Sequence, residues 1–156
     1  MFEKFNQQEN LNVDAFIRET TETIWDKKMV GAIYDCYTPE TVIHGADGTR
    51  VEGADQVVAD TMAWLTAFPD LKCVIRDVIW SGNPEEGYRT SMPWSYVGTN
   101  TGYSKFGPPT GKTLTMENNL GIANCIIKRV DGKWCYVDEY STYDVQAFYR
   151  ACTQEN

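Results

Sequence analysis

The chain has 156 residues, of which 42% are hydrophobic and 13% aromatic, so its length suits one domain with a substantial apolar core. The net charge of −8, from 22 acidic and 14 basic residues, argues against binding to nucleic acid or to an anionic membrane, because both need clustered Lys and Arg. The chain shows no apolar signal-peptide core and no membrane-spanning run, and its five cysteines contain no C-x-x-C pair. We therefore expect reduced thiols, no metal site and a cytoplasmic protein.

The first part of the chain predicts helices. Apolar residues at near-helical spacing predict a helix over 12–28 with Asn12 as its cap, followed by a second, short helix over 29–37. The segment "TVIHGADGTRVEG" predicts a short strand, a turn and another extended piece. A third helix is predicted over 53–68, and Pro69 ends it.

After Pro69 the apolar pattern changes to the alternation of strands. We predict strands over 71–82, 87–102, 112–130 and 133–144, with a bend near Gly121 and a hairpin turn at Asp131-Gly132, and then a closing helix over 145–154. Helices followed by a four-stranded antiparallel meander favour the α+β class, with helices packed on one face of a curved sheet. A sheet bent in this way encloses a conical pocket.

The stretch "GPPTGKT", residues 107–113, is superficially similar to a phosphate-binding loop. A P-loop has four residues between its glycines, whereas three residues separate Gly107 from Gly111. Pro108 and Pro109 also lack the backbone N–H groups that cradle a phosphate. The segment therefore predicts a rigid turn between strands.

Five fragments in order carry a resemblance to a known family: "AFPDLKCVIRDVIWSG", "GTNTG", "GPPTGKT", "KRVDGKW" and "DEYSTYDVQAFYRA". Over residues 12–150 the chain resembles the SnoaL-like polyketide cyclases of the nuclear-transport-factor-2-like superfamily. The resemblance implies a cone-shaped, cystatin-like α+β fold, a homodimer across the sheet, and no required cofactor or metal. It also implies ring closure by an intramolecular aldol reaction on a small, largely apolar carbonyl compound.

The resemblance identifies Asp144 as the candidate acid–base residue, because family members have an aspartate after the last strand. An aldol cyclisation needs such a base together with a donor for the developing oxyanion. We expect Asp144 to face an aromatic cavity, with Tyr140 and His44 as its nearest polar partners. The alternative is that Asp144 caps the closing helix, and one side chain can serve both roles.

Strand alternation, if no bulge intervenes, places Tyr136, Asp138, Tyr140 and Asp144 on one face of the last strand. On this basis Tyr140 lines the pocket or packs in the core. Asp138 and Glu139 are expected to be solvated charges at the rim. His44 is the single histidine, and it is either a site residue or an ordinary hydrogen-bonded side chain at a strand end.

The remaining candidates are ligand contacts. Asn100 occupies the place where the family often has histidine, and an amide binds a carbonyl group but cannot transfer a proton near neutral pH. Arg89 either orients a substrate or forms a salt bridge. Four aromatic residues are pocket or core candidates: Trp64, Phe68, Trp94 and Tyr96.

These residues support three hypotheses about function. The first is a cofactor-independent cyclase, isomerase or lyase. The second is a non-catalytic protein that binds a small hydrophobic ligand, and it is favoured by the loss of the family histidine at Asn100. The third is a dimeric interaction module, which a pocket filled by side chains would favour.

Overall fold

The computed structural model describes residues 1–154 of the chain. Four α-helices are present in this part of the chain, together with a π-helical turn at Glu22–Asp26 and a 3-10 helix at Val30–Asp35. The helices are α1 (Glu3–Asn6), α2 (Val13–Thr21), α3 (Gly53–Ala67) and α4 (Val145–Cys152). Asn12 caps α2 as the sequence predicts, because its side chain accepts a hydrogen bond from the Ala15 backbone N–H.

Eight strands within residues 1–154 form one curved, unclosed sheet. They are β1 (Tyr37–Gly45), β2 (Arg50–Glu52), β3 (Lys72–Ile75), β4 (Ile79–Asn83), β5 (Gly87–Thr99), β6 (Thr113–Leu114), β7 (Gly121–Val130) and β8 (Lys133–Tyr143). The order is β2-β1-β8-β7-β5-β3, while β4 and β6 also pair with β5. The predicted α+β class with a curved sheet and helices is confirmed.

The sheet is larger than the predicted four-stranded meander. The predicted strand over 71–82 is divided into β3 and β4, which pair with different parts of the long strand β5. The predicted strand over 112–130 is also divided, and β7 begins at Gly121. β1 joins the sheet through a parallel pairing with β8, a long-range contact that local alternation does not predict.

The helices cover the concave face of the sheet, and aromatic side chains form most of the contact. Phe16 of α2 packs on Tyr136 of β8, with ring centroids 5.4 Å apart. Trp64 of α3 lies 4.1 Å from Phe148 of α4 and 4.7 Å from Tyr96 of β5. α3 and α4 therefore meet above β5. The two helices and the sheet together enclose a space.

A bulge in β8 decides which side chains point into that space. Ile126 pairs with Asp138 and Ile127 with Tyr136, so Val137 is an extra residue without a partner on β7. Tyr136 and Glu139 are consequently both buried on the concave side, and Tyr140 is 55% exposed on the convex side. The alternation predicted for residues 134–144 breaks at this bulge.

Three further observations on residues 1–154 concern membrane spans, metal sites and thiols. No helix within residues 1–154 is long and apolar enough to cross a membrane. The same residues contain no group of three or more His, Cys, Asp or Glu side chains arranged to hold a metal ion. All five cysteines are free and buried.

Candidate functional site

A cavity of about 320 Å³ lies between α3 and the concave face of the sheet, and we refer to it as the central cavity. Its wall includes four aromatic residues, Trp64, Trp94, Tyr96 and Tyr143. The rings contact one another, with centroids 4.3 Å apart for Trp94 and Tyr96 and 5.3 Å for Trp64 and Tyr143. Five residues with acidic or basic side chains also line it: Asp47, Arg50, Asp60, Lys105 and Glu139.

Local sequence explains why the aromatic wall forms. Trp94 and Tyr96 are two residues apart on β5, so both point to the same face of the sheet. Trp94 pairs with Gly121 of β7, where a Cβ atom would lie 2.2 Å from the indole ring. Only glycine at position 121 leaves room for this ring, which explains why a glycine begins β7.

Glu139 is a buried carboxylate in the wall of the central cavity, and it is 9% exposed. The Tyr37 hydroxyl donates a hydrogen bond to Glu139 Oε2 at 3.3 Å, and the Cys125 side chain also hydrogen-bonds to the carboxyl group. Burial raises the pKa of Glu139 to about 7, although the bonds from Tyr37 and Cys125 oppose the rise and the charge of Asp60 adds to it. The prediction that Glu139 is a solvated rim charge is wrong, because the bulge at Val137 turns it inward.

A second, smaller cavity of about 40 Å³ lies on the α2 side of Glu139. Thr21, Met92 and Tyr136 contribute to its wall, together with Glu139 and Cys125. Glu139 therefore lines two cavities at once. A carboxyl group in this position is reached from the central cavity while its surroundings remain mostly apolar.

Asp144 caps α4, which is one of its two predicted roles. Its Oδ1 accepts a hydrogen bond from the Ala147 backbone N–H at 2.9 Å, and the residue is exposed. Asp144 also borders a space of only about 10 Å³ beside Trp64 and Trp94. A catalytic role for Asp144 stays a prediction.

His44 and Tyr140 come together, but on the convex face of the sheet. Their rings stack with centroids 4.4 Å apart, and His44 Nε2 lies 2.9 Å from Asp138 Oδ1. The predicted contacts of Asp144 with Tyr140 and His44 are wrong, because Asp144 lies beyond the end of β8, where its side chain caps α4, whereas Tyr140 stacks on His44 on the convex face. Asp138 is half-buried in this cluster.

Arg89 lies on the same convex face, in a groove of about 380 Å³ that we call the outer groove. Ile79, Trp80 and Tyr140 also line the outer groove. Within residues 1–154 Arg89 forms no salt bridge, and its position in the outer groove is the contact that the structure gives it. Arg89 therefore does not face the central cavity.

Asn100 is completely buried and connects three segments. Its Nδ2 donates to the carbonyl oxygens of Ala67 and Gly102, at 2.9 and 3.1 Å, and its Oδ1 accepts from the backbone N–H and the hydroxyl of Thr110. These four bonds use both donors and both acceptor positions of the amide. Asn100 thus fixes the 107–113 turn to the end of α3. Phe68, which is also fully buried, packs against Trp64 and Phe148.

Glu139 and Tyr37 are the site residues that sequence reasoning missed. Tyr37 belongs to β1 and meets Glu139 only because β1 pairs in parallel with β8, 102 residues later in the chain. Glu139 points inward only because of the bulge at Val137. The local sequence around Glu139 predicts neither the parallel pairing of β1 with β8 nor the bulge at Val137.

Known protein families and solved structures include proteins similar to this chain, and they support the fold described above. The family model described as SnoaL-like polyketide cyclase matches residues 15–151. Among solved structures, AclR from Streptomyces galilaeus has a TM-score of 0.70 at 19% sequence identity, with 92% of this chain and 83% of AclR covered. TsrD from Streptomyces laurentii has a TM-score of 0.65 at 14% identity, with 90% of this chain and 95% of TsrD covered.

An uncharacterised protein with a cystatin-like fold from Caulobacter vibrioides has a TM-score of 0.65 at 13% identity, with 88% of this chain and 92% of that protein covered. Identities this low show the shared fold alone. No curated protein is significantly similar in sequence.

Proposed function

Because the chain belongs to the SnoaL-like polyketide cyclase family, we propose that it is a cofactor-independent cyclase, isomerase or lyase that acts on a small, largely apolar carbonyl compound. The observation that carries this proposal is the buried carboxyl group of Glu139 in the aromatic wall of the central cavity. A cavity of about 320 Å³ lies at the small end of the range typical of ligand sites. The four aromatic side chains in its wall suit a largely apolar substrate.

In the proposed reaction Glu139 acts as general base and then as general acid. Its carboxylate removes a proton from the carbon beside the substrate carbonyl, and the electrons of the C–H bond form the enolate. In a cyclisation the enolate carbon then attacks a second carbonyl carbon, the electron pair of that carbonyl moves to its oxygen, and this oxygen takes the proton from Glu139. In an isomerisation the proton on Glu139 returns to a different carbon of the enolate system. A pKa of about 7 suits both steps, because a catalytic group works best when its pKa lies near the operating pH.

Asp144 is the second candidate for the acid–base role. The support for it is its position after the last strand, as in the family that it resembles, and its place beside Trp64 and Trp94. Against it stands its bond to the backbone of α4, which already occupies one carboxylate oxygen. The experiment below therefore compares the two carboxylates directly.

A homodimer through the convex face and a cytoplasmic location belong to the same proposal. Ile79, Trp80 and Tyr140 are each about half exposed beside the outer groove, which gives that face an apolar surface. Five free cysteines are consistent with a reducing compartment. A small hydrophobic ligand is the proposed partner.

The test is the exchange of carbon-bound protons for deuterium in a panel of simple ketones and 1,3-diketones, followed by proton NMR in deuterated buffer. We expect the protein to accelerate exchange for at least one compound, and Glu139→Gln to lower that rate by about 10²–10⁴-fold. Asp138→Asn is the matched control, because Asp138 is the adjacent carboxylate on β8 and points to the convex face.

The other outcomes are equally informative. A Glu139→Gln protein that exchanges protons as fast as the original would remove Glu139 from the mechanism, and a selective loss in Asp144→Asn would assign the role to Asp144. Compounds that bind without any accelerated exchange would favour the non-catalytic binding protein.

A further inference from the structure

The central cavity contains a hydrogen-bond donor that the protein itself does not use. Tyr96 is only 6% exposed, yet its hydroxyl forms no hydrogen bond with any group in residues 1–154. In the same part of the chain every fully buried side-chain nitrogen or oxygen atom has a partner. The Tyr96 hydroxyl therefore reaches open space. Tyr96 lines the central cavity and also the space of about 10 Å³ beside Asp144, and of these two only the central cavity is large enough for a ligand.

The position of this side chain is fixed by its surroundings. The ring packs against Trp94, Trp64 and Trp25, with centroids 4.3, 4.7 and 5.1 Å away. The backbone of Tyr96 is held by Asn119, whose Oδ1 accepts from the Tyr96 N–H at 2.8 Å and whose Nδ2 donates to the Tyr96 carbonyl at 2.9 Å. A donor held this firmly needs little reorganisation when charge develops beside it.

The Tyr96 phenol keeps its proton throughout the neutral pH range. Burial raises its pKa well above the usual value, and the nearby Cys73, Asp60 and Glu139 raise it further when they are ionised. A neutral phenol has an O–H to donate, whereas a phenolate would repel an anion. The indole N–H groups of Trp64 and Trp94 also form no hydrogen bond within residues 1–154, so three neighbouring side chains have a donor free for a ligand, while the carboxyl groups of Asp60 and Glu139 line the same cavity.

We propose that Tyr96 donates a hydrogen bond to the carbonyl oxygen of the substrate and stabilises the enolate oxygen that forms when Glu139 removes the proton. This inference rests on the function proposed above. When the C–H bond breaks, its electron pair forms the new C=C bond, and the electron pair of the carbonyl double bond moves to oxygen. The proton is then on Glu139 and the negative charge is on the oxygen that Tyr96 contacts. The substrate class is thus a ketone that enolises, with its carbonyl group directed toward β5.

The experiment uses 4-nitrophenol as a probe, because its ionised oxygen resembles an enolate oxygen and its two forms differ in visible absorbance. The host is the Glu139→Gln protein, in which the amide stands for the protonated base. We expect the probe to bind as the phenolate, and the additional change Tyr96→Phe to weaken its affinity by about 10-fold or more, since a hydrogen bond to a charged group is strong. Tyr88→Phe is the matched control, because Tyr88 is a buried tyrosine of the same strand and its hydroxyl accepts from the Leu11 backbone N–H, outside the cavity.

Two results would overturn the inference: unchanged phenolate affinity after Tyr96→Phe, or no binding of the phenolate to the Glu139→Gln protein. If the Phe variant does not fold, the complex with the Glu139→Gln protein gives the answer by NMR. Nuclear Overhauser contacts between the probe and the Tyr96 ring are expected there, and their absence would also refute the proposal.

A second experiment, the pH dependence of probe binding, tests the proposed role of Glu139 as the base. In the unmodified protein, phenolate affinity should fall as pH rises through about 7, because Glu139 then becomes negative, whereas the Glu139→Gln protein should not show this fall. The titratable groups near Glu139 are Tyr37 from β1, Cys73 from β3, Tyr96 from β5, Cys125 from β7, Tyr136 from β8 and Asp60 from α3. The charged residues Asp47, Arg50 and Lys105 line the same cavity. Loss of binding in Tyr96→Phe without this pH dependence would support Tyr96 while contradicting Glu139 as the titrating base.

Discussion

At the scale of single residues, the main feature is a carboxyl group placed where its charged form is unfavourable. Burial opposes ionisation of Glu139, and only the hydrogen bonds from Tyr37 and Cys125 favour it. Such a group costs stability whenever it is ionised in the folded protein. Residues of this kind are common at functional sites, where a shifted pKa is part of the chemistry.

This cost predicts how stability depends on pH. The pKa of Glu139 is raised from 4.5 to about 7 on folding, so between these values the folded protein binds the proton more tightly than the unfolded chain. Its contribution to stability is therefore complete below about 4.5, falls as pH rises, and is lost above about 7. The loss is on the order of 3 kcal/mol. Urea unfolding of the original protein and of Glu139→Gln at acidic and alkaline pH should show the difference, and parallel pH dependences would contradict the assignment.

Asp144 permits a second prediction at this scale. As an N-cap, it should be replaceable by Asn with little loss of stability, because Asn caps a helix about as well. Asp144→Ala should lower the free energy of unfolding by about 0.5–2 kcal/mol, because the Ala147 N–H then loses its acceptor. Chemical denaturation of the two variants measures this directly. Equal stability of Asn and Ala variants would mean that the cap contributes nothing.

At the scale of secondary-structure elements, the buried amide of Asn100 joins the end of β5, the end of α3 and the 107–113 turn. Asn100 stabilises the segment that is superficially similar to a phosphate loop in the form of a turn. The Thr110 N–H donates to the Asn100 side chain, and the Gly111 N–H donates to the Asn100 carbonyl oxygen. Gly102 belongs to the same junction, since a Cβ atom there would lie 1.7 Å from the Thr66 carbonyl oxygen.

Asn100→Ala should consequently destabilise the protein by about 3 kcal/mol, because the Thr110 N–H and the Ala67 carbonyl lose their partner in a buried place. The control is Asn10→Ala, an exposed asparagine whose replacement should change stability by less than about 0.5 kcal/mol. Thermal unfolding of both variants is the measurement. An Asn100→Ala protein as stable as the control would show that the junction does not depend on this side chain.

The elements also show what the sequence could predict. Helix periods, the Asn12 cap and the Asp131-Gly132 turn are local features, and the structure contains each of them. The parallel pairing of β1 with β8 and the extra residue Val137 depend on contacts between distant segments. One extra residue reverses the face of every later side chain of the strand. For this reason the alternation pattern predicts Tyr140 in the pocket and Glu139 at the rim, whereas the structure has Glu139 buried and Tyr140 exposed.

At the scale of the whole molecule, the sheet has two faces with different roles. Its concave face and α3 enclose the central cavity, while its convex face carries the outer groove with Ile79, Trp80 and Tyr140. Exposed apolar side chains that lie together on a sheet commonly mark an interface. This surface, together with the homodimer that the family resemblance implies, is the ground for proposing a dimer through the convex face.

We predict a dimeric mass by light scattering at tens of micromolar protein, and a shift toward monomer in Trp80→Glu, because a charge in an apolar interface loses its hydration. Met62→Glu is the matched control: Met62 is equally exposed, at 48% against 47% for Trp80, but lies on α3 away from the sheet. A monomeric mass for the original protein, or equal effects of the two substitutions, would contradict dimerisation through the convex face.

The pKa of Glu139 is the property that most directly shows whether this residue is a buried acid–base group in the central cavity. Carbon-13 NMR of the glutamate carboxyl groups across a pH titration, with the Glu139 signal assigned by its loss in Glu139→Gln, gives this value. We predict a midpoint near 7, far above the ordinary value of 4.5. A midpoint close to 4.5 would show a carboxylate that is ionised and solvated at neutral pH, and it would contradict the proposed role of Glu139 as a buried acid–base group.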